Sequence, residues 1–171
     1  EIQKQESDIL WRASTVLQGI FWEDRNIVTY DPVNETGIEF SYTSLTPDQQ
    51  AYLNLDANVV DYIKGKEISG FRSRTRKLGD IVHSAPLLVG NTIYAGGNDG
   101  MLHVFDSQTG AERFAYVPNL VMDQFYHDAD PDKSFFNPGY EHRFLVDLTP
   151  FSRRHVDLET DGTNDTFTLL V

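Results

Sequence analysis

The densest run of oxygen donors in the 171-residue chain is Asp157-Leu158-Glu159-Thr160-Asp161-Gly162-Thr163-Asn164-Asp165. Asp157, Glu159, Asp161, Asn164 and Asp165 supply carboxylate or amide oxygens at close intervals. With glycine sixth and an acid ninth, the run matches the first part of an EF-hand calcium loop. Thr168 stands where that loop needs its bidentate acid. The competing reading is a polar hairpin between residues 153–158 and 166–171, with Asp-Gly and Asn-Asp as ordinary turn chemistry. Asp128, Asp130 and Asp132 make a second carboxylate alternation, but Lys133 holds the glycine position and Pro131 stiffens the run. A solvated loop is the stronger reading there.

Asp80, His83 and Ser84 have the residue types of an acyl-transfer triad. Neighbours on a strand face opposite sides, so His83 and Ser84 do not meet, and His83 is expected to pack structurally. The chain has neither a Gly-x-Ser-x-Gly elbow nor a His-Glu-x-x-His motif. His103, His127, His142 and His155 lack close metal-ligand spacing. With no cysteine, thiolate metal sites and thiol nucleophiles are excluded. Six of the fourteen basic residues fall in residues 64–77, where Arg72, Arg74 and Arg76 alternate. On a strand they would share one face. Such a row could grip an anionic polymer or a carboxylate patch. A solvated strand face is the commoner outcome, because exposed single charges contribute little.

The elements that position these residues are legible in part. Residues 9–21 fit helical spacing with Ser7 as N-cap, and residues 9–17 also alternate as a strand would. Residues 25–30 read as a strand closed by Asp31-Pro32, and residues 33–37 as a loop. Thr46-Pro47-Asp48-Gln49 is a capping box with proline at the first helical position. Asp56 caps a second short helix with Val59, Val60 and Ile63 on one face, stopped at Gly65. Residues 86–89, 92–95, 101–105 and 112–117 read as four short strands. Their separators, Gly90-Asn91, residues 96–100 and residues 106–110, hold glycine, asparagine and aspartate suited to tight turns. Residues 96–100 lack the Lys-Ser/Thr and helix of a phosphate loop and read as a hairpin turn. Four strands so close together make a compact antiparallel meander, the unit of a β-propeller blade, which needs neighbours to bury both faces.

Composition narrows the function classes. Fourteen basic against twenty-six acidic side chains give a formal charge of −12, which argues against non-specific binding to nucleic acid or anionic lipid. Forty per cent apolar residues are enough for a packed core, and no apolar run is long enough to span a bilayer. Residues 166–171 alternate like the middle of a strand, and a chain ending there leaves an edge unpaired. The expectation is a processed or excised piece of a larger protein that self-associates or is completed by another polypeptide.

Residues 78–86, Leu-Gly-Asp-Ile-Val-His-Ser-Ala-Pro, are followed by residues 93–106, Ile-Tyr-Ala-Gly-Gly-Asn-Asp-Gly-Met-Leu-His-Val-Phe-Asp. Together they resemble the β-propeller domain of the PilC/PilY family, large tip-associated proteins of bacterial type IV pili. Thr109-Gly110-Ala111-Glu112, Ala115-Tyr116-Val117-Pro118, residues 140–147 and the helix at residues 60–65 extend the resemblance from about Trp11 to the end. It implies a mainly β chain forming a partial β-propeller: about one four-stranded antiparallel blade plus strands of neighbours, with two short helices near the N-terminal third. Residues 1–77 would then be a pre-propeller segment, and residues 78–171 the first blade and the beginning of the next. The resemblance further implies a non-catalytic, exported factor at the pilus tip or outer-membrane surface, acting in pilus assembly, adhesion and motility. Implied partners are pilin or minor pilins, further blades or a complementing chain, and a host or abiotic surface. Calcium is the implied modulator, and the family's characterised calcium loop lies in a later blade, beyond Val171.

Two rival readings stand beside this one. The blade also resembles pyrroloquinoline-quinone dehydrogenase repeats, but Glu112-Arg113-Phe114 follows Thr-Gly-Ala where that repeat usually closes with tryptophan. The other rival is an outer-membrane assembly scaffold that docks partners on its rim. Under either non-enzymatic reading, residues 118–138 with Phe125, Tyr126, Phe135 and Phe136 form an interaction surface, or else a loop packed back on its own blade.

Overall fold

The computed structural model describes residues 9–153 and 169–170. Residues 9–21 take the helical of their two readings in part: α1 (Ala13–Gly19) starts after Arg12, which makes no side-chain cap, and Ser7 lies outside the described residues. α2 (Pro47–Tyr52) opens with the expected capping box. The Thr46 hydroxyl accepts from the Gln49 amide at 3.3 Å, and the Gln49 side chain accepts from the Thr46 amide at 3.0 Å. Asp56 caps α3 (Ala57–Lys64) by accepting from the Asn58 amide at 2.8 Å, and Gly65 ends it at a φ of 118°. The expected face of α3, Val59, Val60 and Ile63, is buried together with Tyr62.

The four expected strands form an antiparallel meander of β3 (Leu87–Val89), β4 (Thr92–Gly97), β5 (Met101–Asp106) and β6 (Glu112–Tyr116). Local chemistry fixes its turns. Gly100 sits at a φ of 87° with the Phe125 ring where a Cβ would go, so glycine is required twice over. Asp106 Oδ1 accepts from the Gln108 and Thr109 amides at 3.0 and 2.9 Å, and Arg113 donates to its Oδ2 at 2.7 Å.

The meander continues into the N-terminal part of the chain. β1 (Ile27–Asp31) runs parallel to β6 in the register Ile27↔Ala115 and Val28↔Tyr116, and β2 (Thr36–Glu39) pairs antiparallel with β1. The result is one open six-stranded mixed sheet in the order β2-β1-β6-β5-β4-β3. The loop expected over residues 33–37 is therefore shorter: β2 begins at Thr36, and its exposed edge position leaves no apolar alternation to betray it. β7 (Ser152–Arg153) and β8 (Leu169–Leu170) pair as a separate ladder. The described chain is thus mainly β with a few short helices. Among the described residues no helix is long and apolar enough to cross a membrane.

The main core lies between the sheet, α2, α3 and residues 117–136. Ile27, Met101 and Ala115 from the sheet meet Val59, Tyr62 and Ile63 from α3, with Phe40 and Leu53 closing the side. α4 (Asn119–Met122) buries Val121 and Met122, and beyond it Phe125, Phe135 and Phe136 are buried as well. Phe125 and Tyr62 each meet Phe135 edge-on, at centroid distances of 5.3 and 6.0 Å. Phe125, Phe135 and Phe136 therefore pack back into the core, the second of the two readings for residues 118–138, while Tyr126 stays half-buried. A loop this rich in phenylalanine gains more from the core than from solvent.

Candidate binding site

Residues 72–77 form neither strand nor helix, so the expected strand face of arginines is not built. Each cation is drawn to a different neighbour instead. Arg72 Nε donates to the Phe135 carbonyl at 3.1 Å, and its guanidinium lies 4.9 and 4.4 Å from the ring centroids of Phe135 and Tyr140. The Arg74 guanidinium lies 3.9 Å above the Tyr62 ring and donates from Nη2 to the Tyr62 carbonyl. Arg76 donates to Ser14 Oγ at 3.1 Å, and Lys77 to the carbonyls of Gln18 and Ile20. Aromatic faces and orphan carbonyls from α3, α1 and the 118–138 segment thus override the two-residue period.

These cations border a cleft of about 660 Å³, whose walls include Arg72, Arg74, Lys77, Tyr140 and His142. Among the described residues, none of Arg72, Arg74, Arg76 and Lys77 has a carboxylate oxygen within salt-bridge distance. Nε and Nη1 of Arg74 are buried with no hydrogen-bond acceptor. Burial works against the charge of that guanidinium, and the nearby Tyr62, Asp99 and Glu67 only partly offset it.

Asp99, in the cleft wall, belongs to a buried charge network that sequence reasoning did not find. His103 on β5 is fully buried, with Nε2 3.0 Å from Asp99 Oδ2 and Nδ1 2.8 Å from Glu112 Oε1. Arg25 grips the same Glu112 from Nε and Nη2 at 2.8 and 2.9 Å and donates from Nη1 to the Lys64 carbonyl at 2.7 Å. The Gly79 amide donates to Asp99 at 2.8 Å. Burial disfavours the imidazolium, but Asp99 and Glu112 outweigh it and push the His103 pKa up to about 9. The two carboxyls are held below their usual range, against burial, chiefly by His103, with Arg25 adding to the effect. With two cations and two anions the network closes at zero net charge, which is what makes its burial tolerable. The Asp99/His103 spacing and the nine residues from His103 to Glu112 across the β5–β6 hairpin were its only local signals; Arg25 arrives from the segment before β1, 87 residues from Glu112.

Asp80, His83 and Ser84 are directed to three different partners and form no triad. Asp80 accepts from Asn98 at 3.0 Å and lies 2.9 Å from His142 Nε2. His83 pairs with Asp147, and Ser84 Oγ accepts from the Gly96 amide at 2.9 Å. The packed role expected for His83 is corrected, since its side chain is 65% exposed. Residues 81–85 form no strand and run along the surface beside residues 144–149, so His83 touches Phe144 rather than a core.

Asp157, Glu159, Asp161, Asn164 and Asp165 lie outside the described residues. Among the described residues, no three His, Cys, Asp or Glu side chains are grouped so as to hold a metal ion. In the 128–132 run, Asp130 lies 4.0 Å from Lys133, which also pairs with Glu141 at 3.0 Å.

No family model matches the chain, and no solved structure matches it. Curated relatives do. The type IV pilus biogenesis factor PilY1 of Pseudomonas aeruginosa strain UCBPP-PA14 is 33% identical over 124 residues, covering 55% of this chain and 10% of the relative. PilY1 of P. aeruginosa strain PAO1 is 31% identical over 159 residues, covering 66% and 13%. A PilY1 homolog of Xylella fastidiosa strain Temecula1 is 29% identical over 161 residues, covering 74% and 12%. The chain therefore spans about a tenth of the length of the curated relatives it matches.

Proposed function

Because this chain belongs to the family of the type IV pilus biogenesis factor PilY1, we propose that it forms the start of a β-propeller in a pilus-tip protein. Its role is assembly of the pilus, surface adhesion and motility, without catalysis. The observation that carries the reading is the similarity to PilY1 over more than half of the chain. The four-stranded meander β3–β6 supports the propeller part, since such a unit is one blade's worth of sheet. Large apolar side chains left in solvent support it too. Val82, Leu88, Phe144, Leu148 and Phe151 are each at least half exposed, in segments 81–88 and 144–151, a surface that further sheets would cover.

Under this reading the partners are pilin or minor pilins, the remaining blades or a complementing chain, and a host or abiotic surface. The site of action is the exported pilus tip or outer-membrane surface. Calcium modulates the full-length protein, and within this chain the oxygen-rich run from Asp157 to Asp165 is its best-composed candidate ligand set. Calcium titration of the chain by calorimetry, with Asp161→Asn as the comparison, tests that part. The whole reading is tested by immunogold labelling of cells that make the protein and of their sheared surface filaments. Gold at filament ends that disappears when the pilin gene is deleted is the expected result; gold confined to the periplasm on bare filaments would overturn the tip assignment.

A further inference from the structure

In a chain that carries twelve more negative than positive side chains at neutral pH, an unpaired cation is the unexpected thing. Four of them stand in one six-residue segment, Arg72, Arg74, Arg76 and Lys77, and all four border the same cleft. Their neighbours are carbonyls, a hydroxyl and aromatic rings, none of which neutralises charge. The acids that also line the cleft are already engaged: Asp99 by His103 and the Gly79 amide, Asp80 by His142 and Asn98. Two nitrogens of Arg74, Nε and Nη1, are buried with no acceptor, so its guanidinium charge is poorly compensated and an anion held in the cleft would be attracted to it.

The cleft asks for more than a simple ion. At about 660 Å³ it is many times the volume of one water, and Leu78, Ile81 and Phe135 give it apolar walls beside the charged ones. The backbone along the same segment is also unclaimed. Among the described residues the amides of Ser73, Arg74, Thr75 and Arg76 make no hydrogen bond, although those of Arg72, Lys77 and Gly79 do. Free amides, unpaired cations and apolar contacts together suit a polypeptide, whose carbonyls, carboxylates and side chains meet each in turn. From this arrangement we infer that the cleft beside residues 72–77 is a binding site for an acidic peptide segment, with carboxylate side chains set toward Arg72, Arg74 and Arg76. The inference stands apart from the pilus reading, since it uses no relative.

The probe is the end-capped peptide Leu-Glu-Phe-Glu-Leu, titrated calorimetrically into the whole chain, alongside its counterpart Leu-Gln-Phe-Gln-Leu and inorganic phosphate. Saturable binding of the glutamate peptide that weakens with added salt is expected, with the glutamine peptide about tenfold weaker or worse. Arg76 is exposed, so Arg76→Glu keeps the fold, checked by circular dichroism, and is expected to cost about tenfold or more in affinity. Arg113→Glu makes the same charge change at an exposed residue outside the cleft lining, with the fold checked in the same way, and is expected to leave binding nearly unaltered. Equal affinity for the two peptides, equal losses in the two variants, or binding of phosphate without the glutamate peptide would each overturn the inference. So would no binding at all at low salt.

Discussion

Replacing Glu112 with glutamine tests whether the buried charge network holds the sheet to α3 or merely decorates it. Glu112 accepts from Arg25 twice, at 2.8 and 2.9 Å, and lies 2.8 Å from His103 Nδ1, with its side chain 1% exposed. Glutamine keeps the shape but turns an NH₂ group toward one of these donors and removes the charge. Arg25 and His103 are then two buried cations facing Asp99 alone. Breaking a buried pair in this way costs about 3–5 kcal/mol, a large share of the roughly 5–15 kcal/mol that holds a domain together. The comparison is Asp61→Asn, which breaks the Lys66–Asp61 pair. That pair has the same 2.8 Å separation, but its side chains are 38% and 29% exposed. It should cost less than about 1 kcal/mol, because solvent screens it. Urea titrations of the two variants and the parent, followed by circular dichroism, measure both. Equal losses, or a loss below about 1 kcal/mol for Glu112→Gln, would refute the argument that burial rather than distance sets the worth of these pairs.

The same network makes stability depend on pH. His103 goes from 6.5 to about 9 on folding, so between those values the folded chain holds the extra proton and raising the pH disfavours folding. The contribution, on the order of 3 kcal/mol at most, should be complete below pH 6.5 and vanish through about pH 9. The lowered carboxyls of Asp99 and Glu112 impose the opposite loss on acidification below about their ordinary values, 3.8 and 4.5. Urea midpoints that stay flat from pH 6.5 to 9 would contradict this. Gly100→Ala should destabilise by about 1–3 kcal/mol or more, because it combines a φ of 87° with the Phe125 ring in the way of the new methyl; an unchanged melting midpoint would count against it. Phe125→Ala should cost about 3–5 kcal/mol as a core truncation, since Phe125 is fully buried. A variant of parental stability would return those aromatics to the surface role that their burial denies them.

Much of the fold was legible where the cause is local. The Thr46/Gln49 box, the Asp56 cap and the Gly65 stop act within a few residues, and each is built as its residue types require. The meander was legible for the same reason, because its turns carry their own glycine and aspartate chemistry. β2 was missed because Thr-Gly-Ile-Glu on an exposed edge carries little alternation. The arginine run misled because what decides its shape, the Phe135 carbonyl for Arg72 and the Tyr62 face for Arg74, lies elsewhere in the chain. The charge network was invisible for a stronger reason: Arg25 and Glu112 are 87 residues apart, and no spacing rule connects them.

The parallel seam between β1 and β6 sets an order of events. Thr29 and Val117, which are hydrogen-bonded across it, are separated by 88 residues, whereas every pairing within the meander spans a short hairpin. Closing the long loop costs chain entropy before any contact repays it, so the meander zips first and β1 docks late. Until then the outer edge of β6 is an unpaired template, and the same edge in a neighbouring nascent chain is open to it. Mutational φ-values near zero at Ile27 and high at Val104 would mark that sequence of assembly; the reverse ranking would exclude it.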